Sequence, residues 1–199
     1  MWLIAALAAS GDIAGAEADR QIVRRMAGGD HHALGELYDR HARLLFSLAL
    51  RIVRERADAE DVLQEAFAQV WRQAERFEAV RGTVAGWLVT VTRSRALDRL
   101  RQRRLQPAGV ADFDGFAQTV PDPARGLDVQ LATAEQAERV RLALAALQDD
   151  QRVPLELAYY EGLSQSEIAV KLGVPLGTIK TRMRQTLRRL RDALAGGTS

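Results

Sequence analysis

The chain has 199 residues, 47% of them hydrophobic, enough apolar material for the cores of two small domains. It has no cysteine, which excludes disulfides, zinc knuckles, thiol nucleophiles and thiol redox sensing, and points to an intracellular, cytoplasmic protein. The formal net charge of +2 conceals an alternation of −3, +6, −6 and +5 over residues 1–75, 76–104, 105–163 and 164–199; two basic surfaces divided by an acidic segment fit two contacts with one long polyanion.

The opening MWLIAALAAS has an apolar run too short to span a bilayer and no basic residue ahead of it, so residues 1–20 read as an N-terminal extension. After the break at Gly28, Gly29 and Asp30, the residues Leu34, Leu37, Tyr38, Leu44, Leu45, Leu48 and Ile52 recur at helical spacing, which predicts one or two amphipathic helices over Leu34–Val53. A further helix is expected to start at Asp58 as its N-cap, with Glu60 and Asp61 in the first turn, and to run through Val62, Phe67, Val70 and Trp71 to about Phe77. Another spans Thr83–Arg104, where Trp87 shares an apolar stripe with Val84, Leu88 and Val91. The segment 105–128 carries Pro107, Pro121, Pro123 and several glycines without periodicity, together with Asp112, Asp114, Asp122 and Asp128, and is read as an acidic linker.

The last part of the chain is the most specific. In LSQSEIAVKLG, Ser164 and Glu167 have the spacing of a capping box, Ile168, Ala169 and Leu172 form the stripe, and Gly173 suits the left-handed residue that ends a helix. Pro175 tolerates a helix start and Gly177 keeps its first turn slim. The next helix buries Ile179, Met183, Leu187, Leu190 and Leu194, while Lys180, Arg182, Arg184, Arg188, Arg189 and Arg191 face a single acid, Asp192. A helix, a short glycine-containing turn and a basic helix make a helix-turn-helix; the imbalance of charge implies an anionic partner, although charge alone fits a nucleic acid and a solvated face equally. Enzyme readings find no footing: there is no phosphate loop and no G-x-S-x-G, and His31, His32 and His41 lack metal-ligand spacing and read as exposed. No metal or cofactor is expected.

From about residue 20 to residue 194 the chain resembles an extracytoplasmic-function sigma factor, the small two-domain class of bacterial transcription initiation factor. The pieces that carry this are DAEDVLQEAFAQVWRQAERF, RGTVAGWLVTVTRSRALDRLRQRR and LELAYYEGLSQSEIAVKLGVPLGTIKTRMRQTLRRLRDAL, in that order and spacing. The resemblance implies an all-α fold of two small helical domains, 21–104 and 129–199, joined by a flexible acidic linker at 105–128, the second domain holding the helix-turn-helix. It implies that Glu60, Asp61, Gln64 and Glu65 dock on core RNA polymerase. Arg93, Ser94 and Arg95, with Arg81 and Trp87, would meet the proximal promoter element, although Trp87 on its apolar stripe also reads as core. In the basic helix, Lys180, Thr181, Arg184 and Gln185 would read bases of the distal element, and Arg182, Arg188 and Arg189 would clamp phosphates of the promoter DNA. Family members thread the linker toward the RNA exit path; its composition fits that role and a simple solvated tether equally. The resemblance also implies an anti-sigma factor as regulator, in a stress response, and no membrane insertion of the chain itself. A competing reading, an autonomous dimeric helix-turn-helix regulator, accounts for residues 163–194 and leaves the second basic surface without a use.

Overall fold

A computed structural model of the protein describes residues 13–78, 82–105 and 141–195. The expected linker, all but its first residue, the residues before 13 and Arg81 lie outside them. The first domain begins with α1 (Ile13–Ala27), α2 (His31–Val53) and α3 (Arg56–Gln73). A short 3-10 turn (Ala74–Arg76) follows, then α4 (Val84–Leu105). The first expected boundary, between residues 20 and 21, falls inside α1, which buries Ile22, Val23 and Met26 against the rest of the domain.

The corners of this domain are made by local hydrogen bonds. Gly29 takes a left-handed φ of 87°, and the Asp30 carboxylate accepts from the His32 amide at 2.9 Å to cap α2. α2 is one continuous helix rather than two, because its stripe of Leu37, Leu45, Leu48 and Ile52 runs unbroken into the core. It stops at Arg54, which adopts φ 60° and ψ 15°, a left-handed conformation that costs a residue with a Cβ about 1 kcal/mol. Immediately after it, Glu55 caps α3 by accepting from the amides of Ala57 and Asp58 at 3.0 and 2.6 Å. These two bonds, that from Asp58 foremost, hold the Glu55 carboxyl below its ordinary range. The expected cap, Asp58, is thus displaced three residues into the helix, because its carboxylate is taken by arginines of α4.

The second domain contains a helical segment at 141–145, then α5 (Asp149–Tyr160), α6 (Gln165–Leu172) and α7 (Leu176–Ala195). It has two small apolar clusters. Leu144, Leu147, Leu155 and Leu190 form one, and Ala158, Ile168, Ala169, Ile179 and Met183 form the other. All regular elements among the described residues are helical, as expected from a pattern with no period of two.

Candidate nucleic-acid interface

The helix-turn-helix is built as its sequence dictates. The Ser164 hydroxyl accepts from the Glu167 amide at 3.2 Å and the Glu167 carboxylate accepts from the Ser164 amide at 2.7 Å, closing the capping box. Gly173 ends α6 at φ 64°, where a residue with a Cβ would be strained. The Pro175 carbonyl then accepts from Thr178 and Ile179 at 2.9 and 3.2 Å and starts α7. A Cβ on Gly177 would meet nothing within 4 Å, so packing within the chain does not demand a glycine there.

α7 divides into two faces. Ile179, Met183 and Leu190 are buried, and Leu187 packs beside them. Thr186, which the apolar stripe did not include, is fully buried as well, its hydroxyl donating to the Arg182 carbonyl at 2.8 Å; this local bond satisfies the one polar group the core would otherwise strand. On the other side Lys180, Thr181, Arg184, Gln185, Arg188 and Arg189 are exposed. Among the described residues, no carboxylate pairs with Lys180, Arg184 or Arg188. Arg182 is half-buried beside Asp150 at 3.4 Å, and Arg189 donates to the Gln151 amide oxygen at 3.0 Å. The Thr181 hydroxyl donates back to the Gly177 carbonyl at 2.9 Å. One helix therefore presents three cations without a carboxylate partner among the described residues, and the Gln185 amide, on one exposed face, the group types that a major-groove reader uses.

The first domain arranges its charges differently. Glu60, Asp61, Gln64 and Glu65 are all exposed on α3, but α4 lies alongside. Arg99 pairs with Asp61 and, at 3.1 Å, with Asp58. Arg103 reaches Asp58 at 2.7 Å, Arg95 lies 3.8 Å from Glu65, and Glu60 pairs with Arg56 at 2.8 Å. Arg95 also donates to Gln69 at 2.7 Å. Asp98 pairs with Arg101 at 3.3 Å. Both borders of a polar cleft of about 310 Å³ are thus charged, Glu65 on one and Arg95, Asp98, Arg99, Arg101 and Gln102 on the other. Arg99 and Arg103 lie in the basic stretch 93–104, but their pairing with α3 was not foreseen; its signal was the spacing of 95, 99 and 103, one face of a helix.

The residues expected at the proximal element are not gathered on one open surface. Ser94 is exposed and Arg95 half-buried. The Trp87 ring packs 5.1 Å from that of Phe77, against the core, as its stripe foretold. Arg93 is only 6% exposed: its guanidinium donates to the carbonyls of Tyr159 and Ala158 at 2.9 and 3.2 Å.

His41 is not exposed; its Nε2 sits 2.8 Å from Asp19 Oδ2, and Arg40 Nε donates to Asp19 Oδ1 at 2.7 Å. Asp19 is 5% exposed. Burial by itself would raise the Asp19 carboxyl, but the hydrogen bonds and positive charge of His41 and Arg40 outweigh it and hold the group below its ordinary range. His41 turns inward because it shares the α2 face of Leu37, Leu45 and Leu48, and Asp19 of α1 supplies the acid.

No helix among the described residues is long and apolar enough to cross a membrane. Residues 37–106 match the family model of sigma-70 region 2, and residues 143–192 that of sigma-70 region 4. The ECF RNA polymerase sigma factor SigK of Mycobacterium tuberculosis is 38% identical over 174 residues, which cover 87% of this chain and 91% of that protein. The SigK of Mycobacterium ulcerans is 34% identical over 178 residues, with the same two coverages of 87% and 91%. Among solved structures, Rhodobacter sphaeroides SigE in complex with the anti-sigma ChrR is 30% identical, with 86% of this chain and 95% of that one covered and a TM-score of 0.45.

Proposed function

The chain belongs to the extracytoplasmic-function (ECF) RNA polymerase sigma factors, transcription initiation factors rather than enzymes, and from that premise we propose how its surfaces divide the work. α7 enters the major groove of the distal promoter element. There Lys180, Thr181, Arg184 and Gln185 meet base edges, while Arg182, Arg188 and Arg189 contact phosphates. Arg182 must first exchange Asp150 for a phosphate, a modest demand for a half-exposed pair 3.4 Å apart. The exposed acids Glu60, Asp61 and Glu65, with Gln64, dock on a basic surface of core polymerase. Ser94 and Arg95, with Arg93, Arg81 and Trp87, serve the proximal element where strands separate, cations taking the backbone and planar groups the bases. The protein works in the cytoplasm and is held inactive by an anti-sigma factor that covers these surfaces.

The observation that best supports this reading is the outward face of α7, where Lys180, Arg184 and Arg188 have no carboxylate partner among the described residues while Ile179, Met183 and Leu190 are locked into the core behind them. In vitro transcription with core polymerase over a randomised promoter library tests it. Transcripts from a defined start that share two separated upstream elements are the expected result. Protection of a palindrome by a dimer of the purified chain, with no response to core polymerase, would support the autonomous regulator instead.

A further inference from the structure

The two domains touch through a contact that promoter reading does not require. A helix leaves its last carbonyls without intrahelical donors and concentrates partial negative charge there. At the end of α5 the following turn satisfies one of them: the Leu157 carbonyl accepts from Glu161 and Leu163 at 3.1 and 3.4 Å. The next two, of Ala158 and Tyr159, accept from Arg93 of α4, whose guanidinium also lies 4.7 Å from the Tyr159 ring. Beside it, Arg51 stands 4.3 Å over the Tyr160 ring and Arg54 reaches Glu161 at 3.5 Å. Tyr159 and Tyr160 are buried in the apolar cluster of the first domain, not in either cluster of the second. Gly162 turns away at φ 64° so close to Leu97 that a Cβ would stand 3.0 Å from its Cδ2. A nearly buried arginine is tolerated only where its donors are satisfied, and this helix end supplies acceptors of the right sign.

We propose that the end of α5 and the two residues after it, 158–162, form an intramolecular plug seated on Arg51, Arg54, Arg93 and Leu97 of the first domain, and that this plug must leave before Arg93 can meet DNA. The masking half of this inference rests on the assignment of Arg93 to the proximal element; the seating does not. Plug and seat belong to one chain, so their effective concentration is high, of order millimolar, and a weak contact keeps the seat filled. If the released form is about one tenth of the population, apparent affinity for single-stranded DNA falls about tenfold.

The full-length Tyr160→Asn variant tests the plug, with Tyr160→Ala as a second, since both remove the seated ring without changing charge or touching the apolar clusters of the second domain. Circular dichroism verifies folding, small-angle scattering reads the separation of the domains, and a fluorescent single-stranded DNA oligonucleotide of random sequence reads affinity and its salt dependence. The expected result is a larger radius of gyration than the wild type. Binding should tighten on the order of tenfold, with the salt slope unchanged, because the released chain makes the same phosphate contacts in both proteins. Adding Arg93→Gln should remove the gain in binding and leave the expansion. A folded variant with the wild-type radius overturns the plug, whatever its affinity, and so does a wild-type chain whose domains are already separated in scattering. Expansion without tighter binding overturns the assignment of Arg93 to DNA and leaves the seating in place.

Discussion

Arg95, Arg99 and Arg103 on α4 each face a carboxylate of α3, whereas Lys180, Arg184 and Arg188 on α7 face none among the described residues. Both sets are cationic and recur every four residues; what differs is the neighbour. α3 brings Asp58, Asp61 and Glu65 alongside α4, while α7 is backed by the apolar clusters of a small domain and turns its cations outward. A run of arginines therefore marks an outward-facing nucleic-acid surface only where no acidic helix packs beside it. The pairs of the first domain differ in exposure: Arg95 and Glu65 stand 3.8 Å apart and about half exposed, and so exchange readily, whereas Arg99 and Asp58 are 29% and 19% exposed and are held more firmly. For any of these arginines to bind an anion, a carboxylate must first be released, a step that α7 largely avoids.

The sharpest way to break this comparison is to remove what backs α7. Ile179 is completely buried in a cluster of five residues, so Ile179→Ala should destabilise the second domain by about 2–5 kcal/mol and leave too little cluster to hold the helix in place. Chemical denaturation followed by circular dichroism, together with loss of promoter-specific transcription, reads that effect. Next in size is Asp19→Ala, expected to cost about 1–3 kcal/mol because it strands His41 at a nearly buried site, while the exposed Arg40 can turn to water. The same group sets a pH dependence. Its carboxyl is held below the ordinary range in the folded chain, so its contribution is complete above the ordinary carboxylate pKa and is lost as pH falls through the lowered folded value. Thermal melts at decreasing pH should show the wild type losing stability in that acidic window and Asp19→Ala losing less.

Binding substitutions on α7 come third. Arg184→Ala should weaken binding by about 1–3 kcal/mol with relaxed preference at one base pair, and Arg188→Ala should weaken matched and scrambled duplexes alike. Equal losses on both duplexes for both variants would remove the division between readers and clamps. The smallest effect tests the first domain. Arg99→Ala, despite facing two carboxylates, should shift stability by less than about 1 kcal/mol, and a much larger loss would mean that the α3–α4 ladder holds the helices together.

The helix-turn-helix could be read almost whole from the chain: the capping box at Ser164 and Glu167, the left-handed Gly173 and the split of α7 into Ile179, Met183 and Leu190 against Lys180, Arg184 and Arg188. Caps and periodic stripes act between residues within five positions of each other, where spacing is geometry. What failed to appear there depends on partners far along the chain. Asp58 reads as a cap until Arg99 and Arg103 claim it and Glu55 takes its place. His41 reads as exposed until Asp19, 22 residues earlier, turns it inward. Arg93 reads as a DNA contact, and only packing decides that its donors go to carbonyls 65 and 66 residues later. Sequence alone determined two helical modules and which of them carries a groove-reading helix, because helix formation and capping are local. Only the tertiary structure decided which charges remain available, because an ion's partner is set by which helices are brought side by side.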